Sequence, residues 1–371
     1  MSFVEKIEQY IIKHNLINQN DSIIIGLSGG PDSVFLLHML VALQKKYNLT
    51  LIAAHLNHEW RTQADDEEKM CKILATQLNI PFVSAKLSSL ISHKKYNGSQ
   101  EEFARHMRRQ FLEKVAHEYN AQRIALGHHA QDQQETFFIR LIRGSSLSGL
   151  IGMQPKSGLY IRPLLETHKS DILTWLAENN ISYATDLSNE SPDYLRNRIR
   201  LNVLPALQQC DDRWNDNFLA TLKRLDRDNN FLEQLAARTL QEITCTAQAS
   251  KAIFYDLNCA RPEPVEGFPR ALEDILQQVQ DERGNKSGQL NDIPYTYDAY
   301  ALDAKLFATT PAPLQQRIIM QWLIKNNVPF PATQAFLDEI IRFISNPSGG
   351  THAIHSDWSL VKKQRKVFIK R

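Results

Sequence analysis

Residues 22–43 read SIIIGL, then SGGPDS, then VFLLHMLVAL. The first six residues are β-rich and apolar and predict a buried strand over Ser22–Leu27. The last ten predict an apolar helix over Val34–Leu43. Between them lies Ser28-Gly29-Gly30-Pro31-Asp32-Ser33. Gly29 and Gly30 can take positive φ and bring bare backbone against an anion. The N–H groups that open the following helix point at the same place, and the helix dipole favours negative charge there. Ser28 and Ser33 add hydroxyl donors. Pro31 suits the first helical position, where no N–H is needed. Asp32 is out of place beside phosphate unless Mg²⁺ lies between them. The stretch is neither GxxxxGK[ST] nor GxGxxG, so a Walker-type loop and a dinucleotide fingerprint are both unsupported. A glycine-rich strand-to-helix turn without ligand is the plain alternative.

Working outward, strand and helix alternate. Strands are expected at Leu49–Ala54, Pro81–Ala85 and Arg123–Gly127, with helices over 3–17, Asp65–Gln77, Ser99–Tyr119 and Gln131–Arg143. In the first helix Ile7, Ile11 and Ile12 form the apolar side. The helix from Ser99 opens with a Ser99–Glu102 capping box and carries the stripe Phe103, Met107, Phe111 and Val115. This alternation predicts an α/β fold: a parallel, doubly wound sheet covered on both faces. From about Leu207 the pattern turns to helices without matching strands. The expected organisation is a catalytic domain over 1–207, a polar linker helix over 208–240 and a mainly helical domain over 241–371. Residues 262–292 read as a surface insertion rich in Pro, Glu and Gly, and Trp358–Ile369 as a short β piece.

The length of 371 residues suits two or three domains. A hydrophobic share of 43% and a charged share of 23% are ordinary for a globular protein and exclude a disordered or collagen-like chain. The net charge of +2 conceals an asymmetry, since residues 262–292 sum to −4 and the remainder to +6. Basic residues gather at Arg196–Arg200 and in the run Lys362, Lys363, Arg365, Lys366, Lys370, Arg371. The N-terminus lacks a signal-peptide layout and no long apolar run suggests a membrane span. Cys71, Cys210, Cys245 and Cys259 form no CxxC pair, which suits reduced thiols in a cytoplasmic protein.

SGGPDS resembles the pyrophosphate loop of the N-type ATP pyrophosphatases, which cleave ATP to AMP and pyrophosphate and adenylate an oxygen of the substrate. Four further stretches narrow the likeness. They are His55-Leu56-Asn57-His58 with Arg61; Glu101-Glu102 with Arg105 and Arg108; Gly127-His128-His129-Ala130-Gln131-Asp132-Gln133-Gln134-Glu135-Thr136 running to Arg140, Arg143, Gly144 and Ser145; and Arg162-Pro163-Leu164-Leu165 followed by Asp186, Ser188, Asn189, Tyr194, Arg196, Asn197, Arg198 and Arg200. Together they resemble the tRNA(Ile)-lysidine synthetase family, closely over residues 22–205 and loosely beyond. Two positions depart from that pattern: Gln131 stands where an acid is common, and Arg109 where Tyr is usual.

The resemblance implies an adenine-nucleotide-hydrolase-like fold and a two-step reaction on the wobble cytidine of a tRNA(Ile) with a CAU anticodon. ATP, Mg²⁺ and free L-lysine are the implied reactants and cofactor. It implies ATP binding by Ser28, Gly29, Gly30, Pro31, Asp32 and Ser33, with His55, Asn57 and His58 near the nucleotide. Arg105 or Arg108 would contact phosphate, with a solvated helix face as the plain alternative. Asp132 and Glu135, three apart on one helix face, would hold lysine, with Asp32 and Asp132 toward the metal; ordinary acids at a helix N-terminus are the alternative. Arg196, Arg198 and Arg200 would contact tRNA phosphate, or else form a solvated basic helix start. Longer members of the family carry a third domain, and the chain is expected to end after its second. A tRNA thiolase and a tRNA-binding protein with an inactive nucleotide site remain the competing expectations.

Overall fold

The computed structural model describes residues 2–60, 63–90, 100–184, 194–245, 301–331 and 333–371. Arg61, Ser99, Asp186, Ser188, Asn189, Cys259 and the stretch 262–292 lie outside the described residues. Backbone contacts divide the chain into two units, Met1–Asp226 and Arg227–Arg371.

The first unit opens on α1 (Phe3–Lys13). Its cap is reciprocal: Glu5 N–H donates to Ser2 Oγ at 3.2 Å and Ser2 N–H to Glu5 Oε2 at 2.7 Å. Ile7, Tyr10 and Ile11 are buried, but Ile12 is 57% exposed, against the sequence expectation. One residue turns a helix by about 100°, which carries Ile12 off the stripe. There follow β1 (Ser22–Gly26), α2 (Pro31–Tyr47), β2 (Thr50–Asn57), α3 (Ala64–Gln77), β3 (Phe82–Lys86), the short α4 (Leu87–Leu90), α5 (Gln100–Glu118), β4 (Arg123–Ala125) and α6 (Ala130–Ile142). Next come α7 (Leu147–Leu150), the two-residue strands β5 (Lys156–Ser157) and β6 (Tyr160–Ile161), and α8 (Lys169–Glu178).

The sheet is six-stranded in the order β3-β2-β1-β4-β6-β5. Its strands pair in parallel except β5, which runs antiparallel at the edge. The central β1 shows why its sequence is apolar throughout rather than alternating. Ile23 and Ile25 pack with Val34, Leu37 and Leu40 of α2, whereas Ile24 packs on the other face with Met107, Phe111 and Val115 of α5. Both faces are covered, as the sequence leads one to expect. The order also fixes where a ligand belongs. β2 lies on one side of β1 and β4 on the other, so the connections leave in opposite directions and open a crevice beyond the carboxyl ends of β1 and β4.

After α8 come α9 (Leu195–Arg198), a π-turn over Ile199–Val203, α10 (Leu204–Cys210) and α11 (Trp214–Ile243), a helix that runs across the division between the units. The second unit holds the end of α11, the helices Ala304–Thr309, Ala312–Lys325 and Gln334–Ser345, and an antiparallel sheet of order β7-β8-β11-β10-β9. Those strands are β7 (Thr244–Cys245), β8 (Ala301–Asp303), β9 (Gly350–His355), β10 (Trp358–Lys363) and β11 (Lys366–Lys370). The core is Phe307, Ile318, Trp322, Ile340, Ile344, Leu360 and Val367. The C-terminal basic run is therefore part of the sheet and not a tail. Lys362 turns inward and is buried, and its Nζ donates to the carbonyls of Ile344 and Asn346 where the preceding helix ends. Among the described residues no helix is long and apolar enough to cross a membrane.

Candidate active site

The turn after β1 is built as its sequence suggests. Gly30 caps α2, Pro31 takes the first helical position and Gly29 has φ +85°. Ser28 N–H donates to Ser33 Oγ at 3.1 Å, and Ser33 Oγ–H donates to the Gly30 carbonyl at 2.9 Å, which closes the loop on itself. The Ala184 N–H holds the Gly29 carbonyl at 2.9 Å. A Cβ on Gly29 would come within 3.2 Å of Cys71 Sγ, so α3 backs the loop directly. Gly127, after β4, is needed for a different reason: a Cβ there would lie 2.8 Å from the Asp32 carbonyl oxygen. The two strand-ending turns thus touch backbone to backbone at the switch point.

A cavity of about 930 Å³ opens in front of this loop. Ser28, Gly30, Pro31 and Asp32 line one side; His129, Asp132 and Glu135 line another. Three of its carboxylates are engaged by cations. Lys169 Nζ lies 2.5 Å from Asp32 Oδ1. Arg196 reaches Asp132 Oδ1 at 2.9 Å and Glu135 Oε2 at 2.6 Å, and Arg200 reaches Glu135 Oε1 at 2.6 Å. Glu135 is only 1% exposed, and both of its oxygens meet a guanidinium partner in the interior. Burial pushes the Asp132 carboxyl up, but His129, His128, Arg196 and the His129 N–H outweigh burial and hold it below the usual carboxylate range. His129 Nε2 stands 3.6 Å from both Asp32 Oδ1 and Asp132 Oδ2.

The other sequence-predicted residues divide between the cavity and its supports. His55, Asn57 and His58 line the cavity. His55 is buried with Nδ1 2.9 Å from the Leu27 carbonyl, and burial holds it below the usual imidazole range. Asn57 donates to Asp65 and Glu68 at 2.8 and 2.9 Å, so its amide fastens α3 to β2. Arg198 is exposed, while Arg196 and Arg200, four apart on one helical face, turn inward to α6. Arg108 borders the cavity, and Arg105 does not. Arg105 instead lines a smaller pocket of about 300 Å³ with Arg108, Arg109 and Arg162. Gln131, the departure from the acidic pattern, accepts the Lys169 N–H at 2.9 Å and caps α8. An acid would accept the same bond.

Lining residues that escape the sequence reading include Lys169 and Trp60, and Arg162, which stands in the quoted RPLL stretch, has no assigned role there. Lys169 follows the RPLL stretch by four residues, and its only earlier signal is a basic residue at a helix start, where the dipole disfavours it. Among the described residues no cluster of three or more His, Cys, Asp or Glu side chains is set to hold a metal ion alone. Asp32 and Asp132, facing each other across His129, do fit Mg²⁺, which takes one or two protein carboxylates and fills its remaining positions with phosphate oxygens and water.

Among curated proteins, the chain is 38% identical to the tRNA(Ile)-lysidine synthase of Clostridium acetobutylicum over 233 residues, covering 61% of this chain and 50% of that one. It is 36% identical to the tRNA(Ile)-lysidine synthase of Bacillus subtilis over 260 residues, covering 67% of this chain and 54% of that one. The chain thus spans about half the length of these relatives. Among solved structures, the U34-tRNA thiolase NcsA of Methanococcus maripaludis shares the fold, with a TM-score of 0.51 and 18% identity over 60% of this chain and 78% of that one. Residues 2–207 match the PP-loop domain, the part of the chain that carries the 28–33 loop, the sheet and both carboxylates of α6. On that match, over more than half its length, the chain belongs to the PP-loop domain family.

Proposed function

We propose that this chain joins free L-lysine to C2 of the wobble cytidine of tRNA(Ile) with a CAU anticodon, in the cytoplasm, converting ATP to AMP and pyrophosphate. One observation carries the reading. The 28–33 loop and the Asp132–Glu135 carboxylates open into the same cavity at the carboxyl ends of β1 and β4. An anion site and a cation site thereby share one space large enough for a nucleotide and an amine. The names of the curated relatives supply the substrate class.

In the first step cytidine O2 attacks the α-phosphorus and pyrophosphate leaves. Negative charge grows on the leaving group, which the loop N–H groups, Ser28 and Arg108 oppose. Asp32 and Asp132 would hold Mg²⁺, which supplies further positive charge to the phosphates when bound. Lys169 pairs with Asp32 here and can turn to a phosphate oxygen once that carboxylate is engaged elsewhere. In the second step the lysine ammonium takes the place of the Arg196 guanidinium at Asp132. The ammonium gives a proton to the carboxylate, its nitrogen bonds C2, and the C2–O2 bond breaks with O2 leaving on AMP. Arg198 faces solvent already, where it would meet an RNA phosphate. Residues 1–207 are assigned to catalysis, 208–240 to a linker helix and 241–371 to tRNA binding.

The thiolase alternative calls for a reactive thiol near the loop. Among the described residues Cys71 is the cysteine there, and burial pushes its thiol up to about 12. The test is to incubate the full chain with ATP, lysine and CAU-anticodon tRNA(Ile), and then read the nucleosides by mass spectrometry. Lysidine and AMP are expected to form together. AMP formation that depends on neither lysine nor tRNA would overturn the reading.

A further inference from the structure

The main cavity and the smaller pocket share Ser28, Asp32, Arg108 and Asp132 as a common wall. Behind that wall Arg105, Arg108, Arg109 and Arg162 converge on about 300 Å³. Arg109 is paired with Glu113 at 2.9 Å. Among the described residues, Arg105, Arg108 and Arg162 have no carboxylate partner; Arg108 reaches only the Gly26 carbonyl, at 3.4 Å, and Arg162 the Gln154 carbonyl, at 2.8 Å. Asp32 and Asp132 border the pocket, but Lys169 and Arg196, neither of which lines it, already engage them.

Two further atoms point the same way. Arg162 Nε is buried without an acceptor, and so is His128 Nδ1 without a partner. A buried cationic donor left without an acceptor is costly and is relieved when an anion supplies one. Burial, and after it the nearby Arg105, holds Arg108 and Arg162 below the usual guanidinium range, the mark of like charges gathered without a counter-charge. Three guanidinium groups present more donors than the two oxygens of a carboxylate can accept, whereas a phosphate offers three or more.

We propose that this arginine pocket is a second phosphate site, taking a phosphate-class anion distinct from the one held by the 28–33 loop. It rests on the proposed function only for its two sources: the pyrophosphate released across the shared wall, or a backbone phosphate of the RNA substrate.

The experiment fills the loop first. The full chain is saturated with α,β-methylene ATP, which cannot be cleaved between the α- and β-phosphates. Radiolabelled pyrophosphate is then titrated in, and in a parallel arm an anticodon stem-loop RNA is bound across a range of salt. Arg162→Gln and Arg105→Gln are compared with the unaltered chain, the analogue kept saturating for each. Arg105 is exposed, so its variant stands in if Arg162→Gln does not fold. One equivalent of pyrophosphate binding, weakened about tenfold or more in the variants, would identify the product as occupant. No pyrophosphate binding, with a salt dependence of RNA affinity shallower by about 0.7 in log–log slope, would identify a backbone phosphate. Binding that appears only when the analogue is left out, or unchanged behaviour in both variants, overturns the proposal. Neither arm needs turnover, so a chain that makes no lysidine fails the functional reading without deciding this one.

Discussion

The two pockets meet at one wall but balance their charge in opposite ways. In the larger cavity three acids already have a cation: Asp32 has Lys169, Asp132 has Arg196, and Glu135 has both Arg196 and Arg200. In the smaller pocket three guanidinium groups lack carboxylate partners among the described residues. A site of the first kind must exchange partners when a ligand arrives, and each exchange is a step at which specificity can be imposed. A site of the second kind is organised before its ligand comes and loses little on binding.

The contrast can be broken from the cavity side first. Asp32→Ala removes the acid of the loop and leaves Lys169 unbalanced beside the phosphates. We expect lysidine formation to fall about a thousandfold, the scale of losing a charged contact made in the transition state. RNA affinity, read by filter binding, should stay nearly unchanged; its collapse would mean the loop also carries RNA. Glu135→Leu comes next. It leaves Arg196 and Arg200 without the buried Glu135 carboxylate that joins them, which should destabilise the first unit by about 3 kcal/mol or more in a urea melt. A change under about 1 kcal/mol would show that the two arginines find other partners at no loss.

The shared wall is probed by Gly127→Ala. The new methyl would sit 2.8 Å from the Asp32 carbonyl oxygen, so the two turns must separate, at about 1–3 kcal/mol. Nucleotide affinity should weaken together with stability. The smallest effect lies on the arginine side. Burial pushes His128 down to about 3, with Arg162, Arg108 and Arg105 adding to it and Asp132 opposing. Between that value and about 6.5 the unfolded chain binds a proton that the folded chain refuses. The stability that neutral His128 permits is thus complete above about 6.5 and is lost as pH falls toward 3. His128→Gln should narrow the difference in Tm between pH 7 and pH 5 by a few degrees. An unchanged difference would assign the acid sensitivity to other groups.

The loop was legible because its chemistry is local: two glycines, a proline and two hydroxyls within six residues dictate both the turn and what it can hold. Asp132 and Glu135 were legible as neighbours because three residues apart is one helical face. Their partners were not. Arg196 reaches Glu135 across 61 residues of sequence, and Lys169 reaches Asp32 across 137. No periodicity within a segment encodes such pairings. Alternating arginines at 196, 198 and 200 suggest one common surface, but a helix divides them, two inward and one outward. β5 and β6, at two residues each, are too short for any pattern to announce.

The turn between β4 and α6 and the helix start after it feed both pockets at once. Gly127 meets the Asp32 backbone, His128 lines the arginine side, His129 stands between two acids, Gln131 caps α8, and Asp132 and Glu135 grip Arg196 and Arg200. One inserted or deleted residue would rotate everything after it by about 100° and break all of these contacts together. Substitutions here can be absorbed one at a time, whereas a change of length cannot. Libraries that vary this protein should therefore randomise identities between 127 and 135 and hold the spacing fixed.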